Sequence, residues 1–279
     1  MKIAVTGASG FIGRALTARL AAAGHIVQPV RLRESAAAAP SEAVVHLAGE
    51  PLAQRWTAEA KRTIRESRVE GTRALVGSLA RLSPRPAMLV SASAVGIYGS
   101  RGDQLLTEDS APGSGFLADV CAEWERTAGV ANALGIRVVI VRTGVVLGHG
   151  GALARMLPVF KLGLGGRLGS GRQWMSWIHI DDLTALIEFV LSGARLRGPV
   201  NATAPNPVTN AEFTRTLASA LHRPAFAVVP AFALKMLFGE MASVLLDSQR
   251  VLPKAAQAAG FQFRYPDLGP ALAGLVGRS

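Results

Sequence analysis

Cysteine is almost missing from this 279-residue chain. Cys121 stands alone, so no disulfide framework can hold the fold, and the composition suits a reducing compartment. Tyrosine is nearly as scarce, with Tyr98 and Tyr265 the only two, and lysine supplies just 5 of the 30 basic residues. No apolar run reaches the roughly 18 residues of a membrane span. The most apolar stretch, 225–246, is broken by Pro230, Lys235, Gly239 and Glu240. The chain enters a strand pattern at once (Lys2, Ile3, Ala4, Val5), with no basic segment ahead of an apolar one, so a soluble cytoplasmic protein is expected.

What is present is 49% apolar residues against 18% charged ones. That is too apolar for a solvated coil and, at this length, enough for one sizeable core. The formal net charge of +11 raises nucleic acid as a partner. Arginine and alanine are abundant throughout, however, and the cluster Arg62, Arg65, Arg68 and Arg73 has no interleaved aromatics. A solvated helix face is the expectation, with neither nucleic acid nor membrane as partner.

Short apolar runs alternate with helical patterns through the first half, the signature of βαβ units and a parallel sheet. Strands are expected at Lys2–Thr6, Ile26–Leu32, Ala43–Leu47, Ala87–Ser91 and Arg137–Arg142. Helical spacing joins Ile12, Leu16, Leu20 and Ala23, and again Leu117, Cys121, Trp124 and Ala128. Beyond residue 148, Gly-rich loops flank an apolar segment, and Trp177–Ile180 reads as a strand entering a helix near Asp182–Leu191. The fold class is therefore α/β: a Rossmann-like doubly wound parallel sheet over residues 1–205, with 150–176 reaching the substrate side. A small, mostly helical substrate subdomain is expected over 206–279.

The sharpest local signal is Thr6-Gly7-Ala8-Ser9-Gly10-Phe11-Ile12-Gly13, running from the first strand into an amphipathic helix. Gly7 permits the tight turn, Gly10 lets backbone approach a pyrophosphate, and Gly13 allows close helix–strand packing. Free N–H groups at the helix start then face the anion. After the second strand comes Val30-Arg31-Leu32-Arg33, and the first acidic residue of the chain is Glu34. An NAD site would place Asp or Glu there to hold the ribose 2′-hydroxyl, whereas Arg31 and Arg33 suit a 2′-phosphate. NADP(H) is expected over NAD(H).

The GxxGxxG spacing resembles the extended short-chain dehydrogenases/reductases. Further stretches carry the resemblance: His46-Leu47-Ala48-Gly49, Val69-Glu70-Gly71-Thr72, Ser91-Ala92-Ser93 with Tyr98-Gly99, Arg142-Thr143-Gly144-Val145-Val146-Leu147-Gly148, and Ile178-His179-Ile180-Asp181-Asp182-Leu183. With Gly49-Glu50-Pro51, Arg55-Trp56-Thr57, Gly169-Ser170-Gly171-Arg172-Gln173 and His222-Arg223-Pro224, the chain is similar to an atypical epimerase-like subgroup labelled sugar-nucleotide epimerase or cell-division-inhibitor-like. The resemblance implies cofactor contacts from Thr6, Gly7, Ser9, Gly10, Phe11, Ile12 and Gly13, from Leu47, Ala48 and Gly49, and from Ser91, Arg142, Thr143, Gly144 and Val145. It also implies a homodimer. The family usually has a further strand between the second strand and Ala43, where this chain has only Glu34 to Ala43, so a trimmed sheet edge and a more open adenine pocket are expected.

Family redox chemistry relies on a Tyr-x-x-x-Lys pair, Lys lowering the Tyr pKa and Tyr exchanging a proton with the substrate oxygen. Here the residues four past the two tyrosines are Gly102 and Gly269. The family's Y-x3-K-x3-E spacing falls on Leu117, Cys121 and Glu125, so leucine stands where the tyrosine would be. Ser93 matches the family's catalytic Ser/Thr, or simply closes a strand. Tyr98 either swings toward the site or shapes the pocket. Cys121 is a thiolate only if an arginine or helix end lowers its pKa, and is otherwise a small apolar residue. Glu50, Glu108 and Asp119 are bases by position alone.

His179 with Asp181 and Asp182 has poor metal spacing, and a helix cap by one of the aspartates explains the pair better, so no metal is expected. Arg167 and Arg172 stand where the resemblance puts the substrate side and imply an anionic substrate such as a nucleotide sugar, while Trp177 is either a stacking wall for that substrate or a core residue. Two functions remain open: an NADP-dependent epimerase, dehydratase or reductase lacking the usual pair, or a non-catalytic NADPH-binding redox sensor or regulator.

Overall fold

Alternation along each strand sorts the apolar runs onto two faces. In β1 (Lys2–Thr6), Ile3 and Val5 enter one core while Ala4 enters another. The same division separates Ala43 and Val45 from Val44 in β3 (Ala43–His46), and Met88 and Val90 from Leu89 in β4 (Met88–Ala94). In β6 (Arg137–Thr143) it separates Val139 and Val141 from Val138 and Ile140. A strand apolar on both faces must be covered on both, which is the condition of a doubly wound parallel sheet.

The computed structural model describes residues 1–31, 40–193 and 195–277. With β2 (Ile26–Val30) and β11 (Gly198–Ala202), six strands form one sheet in the order β11-β6-β4-β3-β1-β2, every pairing parallel. On one face lie α1 (Phe11–Ala22) and α5 (Ile180–Leu191), packed through Leu16, Leu20, Leu183 and Ile187. On the other lie α2 (Ala58–Leu79) and α3 (Phe116–Gly129). Among the described residues β2 is the sheet edge, and its Pro29 opposite Val5 suits an edge, where a missing N–H leaves no ladder bond unmade. Among the described residues no strand pairs with the outer side of β2. Segment 32–39, including Arg33, lies outside the described residues.

Among the described residues four minor two-stranded pairs lie outside this sheet. They are β5 (Leu105–Leu106) with β14 (Arg250–Val251), β7 (Val145–Gly148) with β10 (Trp177–His179), β8 (Gly166–Leu168) with β13 (Ala227–Val229), and β9 (Trp174–Met175) with β12 (Val208–Thr209). The apolar segment between the Gly-rich loops is helix α4 (Gly151–Lys161). Beyond residue 205 come α6 (Asn210–Ala220), α7 (Ala231–Phe238), the short α8 (Ser243–Leu246) and α9 (Lys254–Ala258), and α10 (Leu268–Val276). Phe213 and Leu217 of α6 pack with Leu272 and Leu275 of α10 in a second core, whereas Ala256 and Phe261 return to the core of the main sheet. Among the described residues no helix is long and apolar enough to cross a membrane.

One buried histidine makes the fold acid-sensitive. His46, fully buried at the end of β3, has its ring nitrogens 2.6 Å from Thr6 Oγ1 and 2.9 Å from Thr72 Oγ1. Burial pushes its pKa down to about 4. The unfolded chain binds this proton near its ordinary value of about 6.5, so between that pH and about 4 the unfolded state holds more protons and stability falls as pH falls. Above the window the contribution is complete, and below it about 3 kcal/mol is lost. Denaturant melts of the wild type and His46→Gln from pH 7.5 to 4 check this: the variant should lose most of that slope, and equal slopes would refute it.

Candidate active site

The glycine turn is locked by backbone on all sides. Gly7 adopts a φ of +71°, and a Cβ there would lie 2.8 Å from Ala48 N and from Leu47 C. A Cβ on Gly13 would lie 2.1 Å from Gly7 O. Gly10 caps α1 without any side-chain bond, and the first turn carries no acidic residue. The opening N–H groups are therefore available to an anion, reinforced by the helix dipole. They open into a cleft of about 520 Å³ whose walls include Gly7, Gly10, Phe11, Leu47, Gly49 and Thr143. A backbone cradle with no room for a Cβ at Gly7 or Gly13, beside a cavity of this volume, fits a dinucleotide diphosphate.

Of the other residues implied by the family resemblance, Ile12 and Gly13 also line this cleft, and Gly144 and Val145 line the chamber that continues it. Thr6, Ser91 and Arg142 are buried behind the wall. Ser9 and Ala48 flank the cradle: Ser9 O accepts from Arg14 Nη1, and Ala48 closes on Gly7. Arg31 is exposed just past β2.

At the chemical end, the i, i+4, i+8 spacing on α3 brings Leu117, Cys121 and Glu125 to one face. Leu117 and Cys121 line the cleft. Burial, with Glu125 second, pushes the Cys121 thiol up to about 11, and Arg68 offsets only part of this. Cys121 is a neutral thiol near pH 7, packed with Val95, Ile97 and Tyr98. Ser93, also on the cleft wall, donates to Glu125 Oε1 at 2.6 Å.

Tyr98 is fully buried. Its hydroxyl donates to Asn201 Oδ1 at 2.7 Å and accepts from Arg142 Nη1 at 2.9 Å. Burial raises its pKa, with Arg142 opposing. The phenol is held in the protein frame and does not line the cleft. Burial acts to lower the Arg142 pKa, but the bonds from Glu125 outweigh it and the net direction is up. Glu108 is likewise structural, its Oε1 accepting from the Asn201 and Ala255 N–H groups. Asp119 is exposed, and Glu50 borders the cleft.

Of the four clustered arginines, Arg62, Arg65 and Arg73 pair with Glu59, Glu123 and Glu70. Arg68 instead lines the 520 Å³ cleft, donating to the Ile64 and Glu50 carbonyls with its guanidinium 5.4 Å from the Trp124 ring. Burial lowers its pKa. Arg155 joins it on the cleft wall. Neither was identified for this role from sequence, because both lack any motif and are set there only by helix packing.

A second cleft, of about 860 Å³, is bordered by Trp56, Phe116, Gln173, Lys235, Glu240 and Asp247. Arg167, in β8, and Arg172, on the turn that follows, are exposed but outside this lining, Arg167 Nη1 donating to Ser170 O at 2.8 Å. Trp177 is fully buried in the second core, its Nε1 donating to Asn206 O. The strand pairing of β10 with β7 turns it inward, away from any ligand. The helix cap also differs from expectation: His179 itself caps α5, its Nδ1 accepting from Asp181 N, while Asp182 accepts from the Arg264 and Tyr265 N–H groups. Among the described residues no group of three His, Cys, Asp or Glu could hold a metal ion.

A family model described as the NAD dependent epimerase/dehydratase family matches residues 3–202, and a domain of unknown function (DUF1731) matches residues 229–275. The chloroplastic homolog of epimerase family protein SDR39U1 from Arabidopsis thaliana is 45% identical over 303 residues, covering 99% of this chain and 87% of that protein. An epimerase family protein of Mycobacterium bovis is 43% identical over 290 residues, covering 97% and 96%. The crystal structure of human epimerase family protein SDR39U1, isoform 2, with NADPH matches with a TM-score of 0.93 at 36% identity, covering 100% of both chains.

Proposed function

The chain belongs to the NAD-dependent epimerase/dehydratase family, as an atypical extended short-chain dehydrogenase/reductase, and from that premise we propose that it binds NADP(H) and acts on an anionic alcohol or carbonyl compound of the nucleotide-sugar kind. The observation that carries the reading is the backbone cradle of Gly7, Gly10 and Gly13 opening into the long cleft. The opening N–H groups of α1 hold the diphosphate, and Arg31 and Arg33 take the 2′-phosphate. Arg68 and Arg155 add positive charge along the same wall. When bound, the nicotinamide supplies hydride exchange with a substrate carbon. Ser93, whose proton is committed to Glu125, keeps its lone pairs for a substrate hydroxyl. Lys235, on the 860 Å³ cleft, supplies a cation for the substrate's anionic group.

Replacing both arginines (Arg31→Ala with Arg33→Ala) should cut NADPH affinity about tenfold or more while leaving NADH affinity unchanged. Unchanged selectivity in a calorimetric titration would remove the 2′-phosphate assignment.

A second reading, a non-catalytic NADPH sensor, is favoured by Leu117 at the tyrosine position and the neutral Cys121 thiol. Protein loaded with NADPH deuterated at C4 and mixed with fractions of a small-molecule cell extract separates the two. Loss of deuterium with one fraction supports the enzyme. Full retention with all fractions overturns it in favour of the sensor.

A further inference from the structure

Between the cofactor cleft and the substrate cleft lies a chamber of about 400 Å³. Leu117, Thr143, Val145 and Gly96 contribute to its wall, and this is where the family position for a proton-carrying tyrosine falls. Among the described residues that line it, the only ionisable side chain is Asp247, which also lines the substrate cleft and so stands at the junction of the two spaces.

The backbone that carries this carboxylate is tied down on both sides. Asp247 N donates to Ser243 O at 2.8 Å. The next residue is tied in three directions: Ser248 N donates to Ser100 Oγ at 3.1 Å, Ser248 Oγ donates to Gly102 O at 2.7 Å, and Trp174 N donates to Ser248 Oγ at 3.0 Å. Gln249 N then donates to Trp174 O at 3.1 Å. No described residue donates a hydrogen bond to the Asp247 carboxylate. Its half-burial raises its pKa, the direction that suits proton exchange nearer neutrality. The charged groups that share its cleft are Lys235 and Glu240, and Glu240 is engaged by Lys61 Nζ at 2.6 Å.

We propose that the Asp247 carboxyl is the proton-transfer group of this site, supplied by the C-terminal segment in place of the hydroxyl that Leu117 lacks. The proposal rests on the nicotinamide-cofactor reading above. In the oxidising direction the substrate C–H bond breaks and its electron pair leaves as hydride for C4 of an oxidised nicotinamide. The O–H bond breaks, its pair becomes the second C–O bond, and the proton passes to the Asp247 carboxylate. In the reducing direction the carboxylic acid returns that proton to the oxygen.

The test is a carbon NMR titration of protein labelled at the Asp carboxyls, saturated with either NADP+ or NADPH. Asp247→Asn removes the resonance and so assigns it. Asp247→Glu, which shifts the residue out of the labelled set, assigns it independently if the first variant misfolds. The oxidised ring carries a positive charge, so a carboxylate facing it should titrate at lower pH with NADP+ than with NADPH, by about half a unit or more. In the variant, NADP+ affinity should fall about threefold relative to NADPH affinity. A midpoint identical with both cofactor forms, or one in the ordinary aspartate range, would overturn the assignment while leaving cofactor binding intact. Failure of the wild type to bind either form would overturn the cofactor reading and the assignment with it.

Discussion

Replacing Glu125 with alanine should lower the stability of the protein by about 3–5 kcal/mol, the cost of leaving one member of a buried ion pair unpaired. Only 13% of the Glu125 side chain and 8% of the Arg142 side chain are exposed. The two form paired bonds, Arg142 Nε to Oε1 at 2.9 Å and Nη2 to Oε2 at 2.8 Å. Ser93 Oγ loses its acceptor in the same step. The guanidinium, which also holds the Tyr98 hydroxyl, has too little water around it to replace what was removed. Glu125→Gln keeps one acceptor and should cost about 2 kcal/mol. Urea melts of the three proteins at pH 7.5 check the order. A loss below about 1 kcal/mol for Glu125→Ala would mean that the pair is solvated and the network around Ser93 is not the rigid frame described here.

Gly13→Ala should reduce NADPH affinity about a hundredfold or more, equivalent to ~2.7 kcal/mol. The new Cβ would meet Gly7 O at 2.1 Å and the Ala8 backbone at 2.7 Å and 2.8 Å. All three neighbours are main chain, so α1 must move off the turn, carrying with it the N–H groups proposed to hold the diphosphate. Gly10→Ala is the control, because its Cβ would approach Gly7 O only to 3.3 Å, and its loss should be tenfold or less. Circular dichroism of both variants, expected to match the wild type, checks that their helices are kept. Equal affinity of Gly13→Ala and wild type would show that the diphosphate does not sit on this turn.

The main sheet and the tight glycine turn were legible in the sequence because both are local in their causes. Alternating apolar residues such as Ile3, Ala4 and Val5 determine two buried faces, and Gly7, Gly10 and Gly13 lie within a few residues of one another. The face shared by Leu117, Cys121 and Glu125 was legible for the same reason, as one helix repeat. Residues whose roles depend on distant partners were not. Nothing near Tyr98 announces that Asn201, more than a hundred positions on, will hold its hydroxyl. Nothing near Trp177 says whether β10 turns it toward a ligand or toward Phe213 and Leu217. Arg68 looked like its neighbours in a basic run, yet the three neighbours found carboxylates and Arg68 found the cleft. Asp247 lies in a C-terminal segment without any motif, and only the ties from Ser248 to Gly102 and Trp174 bring it to the chamber.

The most direct test of the account is a calorimetric titration of the purified protein with NADPH and, separately, with NADH. The cradle and the arginines after β2 predict binding of both, with NADPH tighter by about tenfold or more, a margin of ~1.4 kcal/mol. Binding of neither would contradict the account at its centre, leaving the Gly7–Gly13 turn as a structural element of the fold with no dinucleotide to hold.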